Sequence, residues 1–191
     1  MKKVILASTS SIRKEMLSQA GIVFEAVSPL CDEDSIKQQK KHLKLGELAL
    51  ELAKEKARSI SINQLDSYVI GSDQICEFEG ISISKSKNEL DAFECLKKLS
   101  GKTHTQNNGT CVYLNGECVY EFKDKATLTM KRLTDAEILD YIKKDSPIGC
   151  AGSYKFELNG KYLFEKIEGN EECIKGFGLS KVVDFLRKVA K

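Results

Sequence analysis

An aspartate with small neighbours follows a run of β-forming residues near the centre of the chain. Residues 68–70 are apolar or aromatic and lead through Gly71 and Ser72 to Asp73. A continuous run of this kind is typical of a strand buried on both faces, and we expect the strand to end at Asp73. Ligands of open α/β sheets bind beyond the carboxyl ends of the strands. Asp73 is therefore placed to bind a metal or to take a proton from water; a carboxylate that caps a turn is the alternative.

Two serines and an arginine lie where a first helix is predicted to begin. Ser8 and Ser10 follow a short apolar strand. The spacing of the apolar residues after them predicts a helix that begins at Ser10 or Ser11 and has Arg13 in its first turn. Free amide groups attract phosphate at such a terminus, and a guanidinium adds a bidentate fork. The helix dipole disfavours a cation there, so a bound anion would explain Arg13. Capping by serine, with Arg13 in solvent, is the alternative.

Three consecutive acidic residues follow a second predicted strand over residues 22–27. Asp32, Glu33 and Asp34 offer the oxygen ligands that hard divalent cations prefer, with water completing the shell. A polar loop that binds nothing is the alternative interpretation.

A lysine continues the apolar stripe of a helix predicted over residues 44–60. Lys56 stands four residues after Leu52, on the face that the apolar residues share. Its side chain either extends along the helix to the surface or points into a site where it meets an anion.

The elements that must position these side chains alternate between strands and helices in the first half of the chain. The later pattern predicts a strand at 81–83, a helix ending at Ser100-Gly101, a hairpin of 103–114 and 117–131 around Asn115-Gly116, a capped helix from Thr134 to about Lys144, a flexible segment at 149–153, a strand at 162–167 and a terminal helix at 179–189. No linker or repeat divides the chain. We therefore expect one domain over residues 1–191, with a mixed α/β fold and a twisted sheet.

Composition excludes several classes of protein. The chain has 191 residues, a net charge of +2 and no tryptophan, so nothing indicates the basic, aromatic surface that nucleic-acid binding requires. Seven cysteines without C-x-x-C spacing, and two histidines without zinc spacing, indicate reduced thiols in the cytoplasm. The apolar stretch after Met1 is too short for a signal peptide or a membrane span.

Taken together, these segments resemble the Maf family of nucleoside triphosphate pyrophosphatases over nearly the whole chain. The markers are residues 6–13, Asp32-Glu33, residues 52–57, residues 70–73, the turn at Lys85, residues 99–101 and residues 163–169. The resemblance implies a twisted mixed sheet flanked by helices, as in Maf and ITPase proteins, with a nucleotide cleft. It also implies hydrolysis between the α- and β-phosphates, which removes modified nucleotides from the pool.

Two positions make the chain similar to the 7-methyl-GTP branch of that family. Gln74 follows Asp73, and residues 149–157 end in Glu157. A glutamate accepts N–H groups of a guanine-type ring, whereas glutamine offers a donor and an acceptor. Ile12 departs from the aromatic or basic residue of related chains and cannot stack on a methylated purine. A dTTP/UTP pyrophosphatase is therefore the alternative.

The resemblance assigns a role to each candidate residue. Phosphate binding falls to Ser8, Ser10, Arg13, Lys56 and Lys85; Mg²⁺ or Mn²⁺ binding to Glu33, Asp32 and Asp73; activation of water to Asp73; and base specificity to Ile12, Gln74 and Glu157. The implied partner is a free nucleotide, with no nucleic acid and no membrane, and a homodimer is one option for the oligomeric state. A non-catalytic nucleotide-binding regulator remains an alternative. His104 is interpreted as a structural histidine with satisfied hydrogen bonds.

Overall fold

The computed structural model describes residues 2–189, which form seven strands, seven α-helices and one short 3-10 helix. The strands are β1 (Lys3–Ala7), β2 (Glu25–Val27), β3 (Ser67–Phe78), β4 (Ile81–Ile83), β5 (Thr103–Leu114), β6 (Glu117–Met130) and β7 (Phe164–Glu168). The helices are α1 (Ser11–Gln19), α2 (Glu33–Gln39), α3 (Leu45–Ser61), α4 (Glu89–Leu99), α5 (Asp135–Asp145), α6 (Glu171–Ile174) and α7 (Leu179–Val189), and the 3-10 helix is Asn159–Leu163.

The sheet mixes parallel and antiparallel pairs. Its strand order is β2-β1-β3-β5-β6-β7, and β4 pairs with β3. β1 is parallel to β2 and to β3, whereas β3–β4 and β6–β7 are antiparallel. The expectation of an α/β fold with a mixed sheet is confirmed.

The described chain divides into two compact units. The first contains the residues up to Gln74, residues 108–124, and the residues from Gly176 onward. The second contains residues 75–107 and 125–175. The prediction of one domain over residues 1–191 includes three terminal residues outside the description, and it stays a prediction. Among residues 2–189, no helix has the length and apolar composition needed to cross a bilayer.

In the first unit, helices pack on both faces of the strands. Alternate residues of a strand point to opposite faces, and β1 follows this rule. Val4 and Leu6 lie in an apolar cluster with buried residues of α1 and α7, while Ile5 and Ala7 lie in a second cluster with residues of α3. Because both faces of β1 are buried, its sequence is a continuous apolar run.

Two glycines let α3 lie directly on the strands. A Cβ atom added at Gly71 of β3 would stand 2.1 Å from the carbonyl oxygen of Ala53. One added at Gly109 of β5 would stand 2.3 Å from the Cα of Leu50. At Gly71 the chain therefore passes directly against the backbone of α3.

The second unit has its own core beneath α4 and α5. Leu96, Leu128 and Ile138 are fully buried there. The predicted capping box is present, since Thr134 accepts from the Glu137 amide and the Glu137 carboxylate accepts from the Thr134 amide. This cap fixes the start of α5.

Three expectations about the bounds of strands were wrong, and so was one alternative interpretation. β3 does not end at Asp73 but continues to Phe78, because residues 76–78 pair with β4 and the side chains of Cys76 and Phe78 are buried. Residues 33–39 form α2 where a polar loop was the alternative considered. β2 covers only residues 25–27 of the predicted 22–27. The predicted strand at 162–167 begins as a 3-10 helix and becomes β7 at Phe164.

Candidate active site

A buried lysine in the first unit contacts two carboxylates. The Nζ atom of Lys56 lies 2.5 Å from Oδ1 of Asp73 and 3.0 Å from Oε1 of Glu33. The side chains of Lys56 and Asp73 are each 8% exposed, and that of Glu33 is 41% exposed. Lys56 therefore does not extend to the surface: it points inward and meets anions, as the second of the two interpretations held.

The packing of α3 on β3 produces this contact. Val69 lies in the cluster beneath α3, and the period of two in a strand turns Gly71 and Asp73 toward the same helix. Lys56 follows Ala53, whose carbonyl lies against Gly71, by three residues and so stands on the same side of α3. The close approach at Gly71 is what brings the ammonium within reach of Asp73.

Arg13 joins this cluster from α1. Its Nε atom donates to the carbonyl of Gly176 at 2.9 Å, and Nη1 donates to Oγ of Ser8 at 3.3 Å. Burial lowers the pKa of the guanidinium, while the charges of Asp73 and Glu33 act in the opposite direction. Both carboxylates are thus close enough to Arg13 to act on its charge, and the alternative of an Arg13 in solvent is not what the structure contains.

The hydroxyl groups before α1 leave its first turn uncapped. Ser10 occupies the N-cap position, but its side chain makes no capping hydrogen bond. Its amide instead donates to Oγ of Ser8 at 3.2 Å, and Ser8 is buried. The alternative of a serine cap is therefore not what the structure contains. Uncapped amide groups at a helix N-terminus form an anion-binding surface.

A fully buried polar network supports the backbone at Asp73. The side-chain Nδ2 atom of Asn108 donates to the carbonyl of Asp73 at 2.9 Å and to Oγ of Ser72 at 3.2 Å, and the hydroxyl of Thr110 donates to Oδ1 of Asn108 at 3.0 Å. The Ser72 hydroxyl lies 3.1 Å from the carbonyl of Gly176. Gly176 is thus shared with Arg13, and sequence reasoning missed it together with Asn108 and Thr110.

The two specificity candidates of the first unit have different surroundings. Gln74 is half-buried, and a Cβ atom added at Gly176 would stand 2.9 Å from its Oε1 atom. Ile12 packs part of its surface against the apolar cluster that contains Met16 and Phe177. Asp73 and Gln74 therefore reach different elements, namely α3 and the segment before α7.

Two of the three predicted metal ligands, Glu33 and Asp73, lie close to each other at Lys56. The third, Asp32, uses its carboxylate to cap a helix. Oδ1 of Asp32 accepts from the amides of Asp34 and Ser35 at 3.1 Å and so caps α2. Glu33 and Asp73 meet at Lys56. No group of three or more His, Cys, Asp or Glu side chains within residues 2–189 is arranged to hold a metal ion. Mg²⁺ is commonly bound by one or two carboxylates with water and substrate phosphates, and Glu33 with Asp73 fits that type of site.

The other two predicted site residues belong to the second unit. Lys85 and Glu157 are both exposed. Burial raises the pKa of the Cys150 thiol, and the charges of Lys155, Glu157 and Lys85 also act on it. The charges of Lys85 and Glu157 thus both act on the same thiol. A bond from the amide of Gly149 to the carbonyl of Ser86, at 2.9 Å, joins their segments.

His104 is buried in the second unit and is only partly satisfied. Its Nε2 atom lies 3.0 Å from the hydroxyl of Tyr154, which also accepts from Nε2 of Gln106 at 2.7 Å. Burial lowers the pKa of His104 to about 4. The structural interpretation agrees with this placement, but Nδ1 has no partner among the described residues.

Comparison with known proteins identifies the family. The Maf-like protein family matches residues 3–189. A nucleoside triphosphate pyrophosphatase of Pelagibacter ubique (strain HTCC1062) is 36% identical, with 98% of each chain covered. A nucleoside triphosphate pyrophosphatase of Legionella pneumophila subsp. pneumophila is 34% identical over 97% of this chain and 92% of its own.

Two further proteins are similar. A 7-methyl-GTP pyrophosphatase of Bdellovibrio bacteriovorus is 41% identical over 89% of this chain and 87% of its own. A solved structure, of a HAM1 protein from Coxiella burnetii, covers 70% of this chain and 75% of its own with a TM-score of 0.40 and 12% identity.

The relatives named pyrophosphatases show that the protein is a hydrolase that acts on acid anhydrides. The chain belongs to the Maf family. The predictions of this family and of an enzyme are confirmed.

Proposed function

We propose that this enzyme hydrolyses the α–β phosphoanhydride of a nucleoside triphosphate and releases a monophosphate and pyrophosphate. The observation that carries the proposal is Lys56, buried between Asp73 and Glu33, with Arg13 close enough for both carboxylates to affect its pKa. The reaction needs cations for the phosphate oxygens and a carboxylate for water. Relatives that bear the name of this activity, and that match over 98% and 92% of their own length, support the same function.

Asp73 is the base in this proposal. It orients a water molecule and accepts its proton as the water oxygen bonds to phosphorus and the bridging P–O bond breaks. With attack at the α-phosphorus, the bridging oxygen leaves as part of pyrophosphate. The hydrogen bond from Asn108 to the Asp73 carbonyl supports this role because it holds the strand in place beneath the carboxylate.

Phosphate binding combines the first turn of α1 with the cations. The uncapped amides of α1, the hydroxyls of Ser8 and Ser10, and Arg13 form one group of contacts, and their geometry favours an anion. Lys56 neutralises further charge, and Lys85 is proposed for the same purpose.

A divalent cation, Mg²⁺ or Mn²⁺, completes the proposed site. Glu33 and Asp73 would hold it, and Asp32 fixes the start of the helix that carries Glu33. When bound, the cation supplies neutralisation of the negative charge on the phosphate oxygens.

The proposed substrate is 7-methyl-GTP. The relative of that name at 41% identity supports this choice, as do Gln74 and Glu157, which we assign to the base. Ile12 is aliphatic, so it provides no aromatic ring to stack on the base. The proposal extends to a cytoplasmic enzyme that clears modified free nucleotides and does not act on nucleic acid, with a homodimer as the oligomeric state to examine.

The test is pyrophosphate release from 7-methyl-GTP, GTP, dTTP and UTP, each with Mg²⁺, with Mn²⁺ and with a chelator. We expect turnover only with a divalent cation and the highest kcat/KM for 7-methyl-GTP. Preference for dTTP or UTP would contradict the assignment of Gln74 and Glu157. Tight nucleotide binding without turnover would support a regulator instead of the enzyme.

A further inference from the structure

The turn that carries Glu157 is held at both ends by side chains of α5. The hydroxyl of Tyr141 accepts from the amide of Lys155 at 2.9 Å. The carboxylate of Asp145 accepts from the amide of Asn159 at 2.9 Å and from its side-chain nitrogen at 2.6 Å. These contacts fall two residues before and two residues after Glu157.

The turn is also closed on itself. The amides of Leu158 and Gly160 both donate to the carbonyl of Lys155 at 3.1 Å. A Cβ atom added at Gly160 would stand 2.3 Å from that carbonyl oxygen, so the closure requires glycine. Phe156 is 5% exposed and anchors the turn in the core, while Glu157 is exposed. Glu157 thus projects outward from a fixed backbone.

The residues of α5 that hold the turn are themselves fixed. Tyr141 and Asp145 are each 4% exposed, and Ile138 and Ile142 of the same helix lie in the core of the second unit. Burial raises the pKa of Tyr141, and the charge of Asp145 adds to the rise. A buried carboxylate is costly unless it is hydrogen-bonded, and Asn159 provides two such bonds.

We propose that Tyr141 and Asp145 are positioning residues that set the base preference of the enzyme by holding Glu157. This inference rests on the proposed function, in which Glu157 accepts hydrogen bonds from the base. Such bonds weaken steeply when the acceptor moves or tilts. Release of either end of the turn therefore lowers discrimination between bases, while the chemistry at the phosphates continues.

The test compares Asp145→Asn and Tyr141→Phe with Glu157→Gln and with Asp140→Asn. Asp140 lies on the same helix but is exposed and paired with Lys144, which makes it the matched control. The measured quantity is the ratio of kcat/KM for 7-methyl-GTP to kcat/KM for UTP. We expect this ratio to fall about tenfold in Asp145→Asn, as one charge-assisted hydrogen bond would predict, with no change in Asp140→Asn.

A second measurement, amide hydrogen exchange, reports whether the two ends of the turn stay hydrogen-bonded. Amide hydrogen exchange at Asn159 should be about tenfold faster in Asp145→Asn, and that at Lys155 should be about tenfold faster in Tyr141→Phe. Unchanged exchange at both amides would overturn the inference, whatever the activity.

The outcomes separate this inference from the proposed function. Absence of turnover in the wild type would contradict the function, and an unchanged ratio in Glu157→Gln would contradict the role of Glu157. A ratio that falls in Glu157→Gln but not in Asp145→Asn or Tyr141→Phe would overturn the positioning inference alone. Equal loss of activity on both substrates would also overturn it, because a merely structural role has that result.

Discussion

The ammonium nitrogen of Lys56 lies 2.5 Å from a carboxylate oxygen of Asp73, and both side chains are almost completely buried. A buried ion pair is often no more stabilising than apolar residues of similar size, so stability alone does not account for this one. Charged side chains are almost never fully buried unless they are paired, and buried charge partners in a cleft are candidates for a functional site. We therefore propose that the chemistry of the enzyme is built on this pair, with Glu33 and Arg13 beside it.

We expect Lys56→Met to lower kcat/KM by about 10²-fold or more, because a preorganised cation for the phosphate charge is lost. It should also lower the free energy of unfolding by about 3 kcal/mol, since Asp73 loses its buried partner. Pyrophosphate release and urea unfolding measure the two effects.

The control for this substitution is Lys54→Met on the same helix. Lys54 pairs with Glu121 in a partly exposed position, where an ion pair contributes about 0–1 kcal/mol. Equal losses in the two variants would show that removal of any α3 lysine has this result, and would contradict a special role for Lys56.

A single methyl group at Gly176 should disturb phosphate binding. The added Cβ would stand 2.9 Å from Oε1 of Gln74 and 3.4 Å from Nη2 of Arg13. We expect Gly176→Ala to raise KM about tenfold, the effect of about 1.4 kcal/mol of lost binding. Steady-state kinetics measure this.

Gly21→Ala is the matched control for backbone strain. Gly21 has a φ of 72° and Gly176 a φ of 82°, but a Cβ atom at Gly21 would meet nothing within 4 Å. Both variants should lose stability by about 1–2 kcal/mol from the positive φ, and only Gly176→Ala should change KM. A similar rise in KM for Gly21→Ala would argue against the contact with Gln74 and Arg13.

His104 should make the protein less stable in mild acid. Its pKa is lowered to about 4 by burial, whereas an unfolded histidine titrates near ~6.5. Between these values the unfolded chain binds a proton that the folded chain does not, so the free energy of unfolding falls as the pH decreases. At pH ~5 the loss is about 2 kcal/mol.

Urea unfolding at neutral pH and at pH ~5 tests this linkage in the wild type, in His104→Gln and in His42→Gln. His42 is exposed and serves as the control. The loss of stability between the two pH values should be smaller in His104→Gln than in the other two proteins. An equal loss in all three would place the acid sensitivity on other groups.

Local signals made much of the fold predictable. Asn115 and Gly116 have φ values of 52° and 81°, the conformation that their dipeptide predicts for a hairpin. The Thr134 capping box and the apolar stripe of α7 likewise depend on neighbours within one or two turns. Elements of this kind can be read from sequence because nearby residues determine them.

Elements without an apolar face were harder to predict. α2 has no buried residue, so it lacks the periodic pattern that marks a helix, and only the capping by Asp32 indicates where it begins. β3 continues past Asp73 because Ile75, Cys76 and Phe78 are buried there. The aspartate interrupts an apolar run but not the strand.

The charged residues of the candidate site were predictable from the sequence, but the residues that hold them in place were not. Family resemblance placed Arg13, Lys56 and Asp73 together. Gly176 contacts Arg13 across 163 positions and Ser72 across 104. No local pattern in one sequence reports such contacts, which depend on tertiary packing.

The most direct test of this account is pyrophosphate release by Asp73→Asn, measured with 7-methyl-GTP and Mg²⁺ beside the wild type and Asp66→Asn. Asp66 is an exposed aspartate that pairs with Lys2. We expect Asp73→Asn to lose about 10³-fold in kcat, as removal of a general base predicts, and Asp66→Asn to keep wild-type turnover. A folded Asp73→Asn enzyme that retains wild-type kcat would contradict the central role of Asp73.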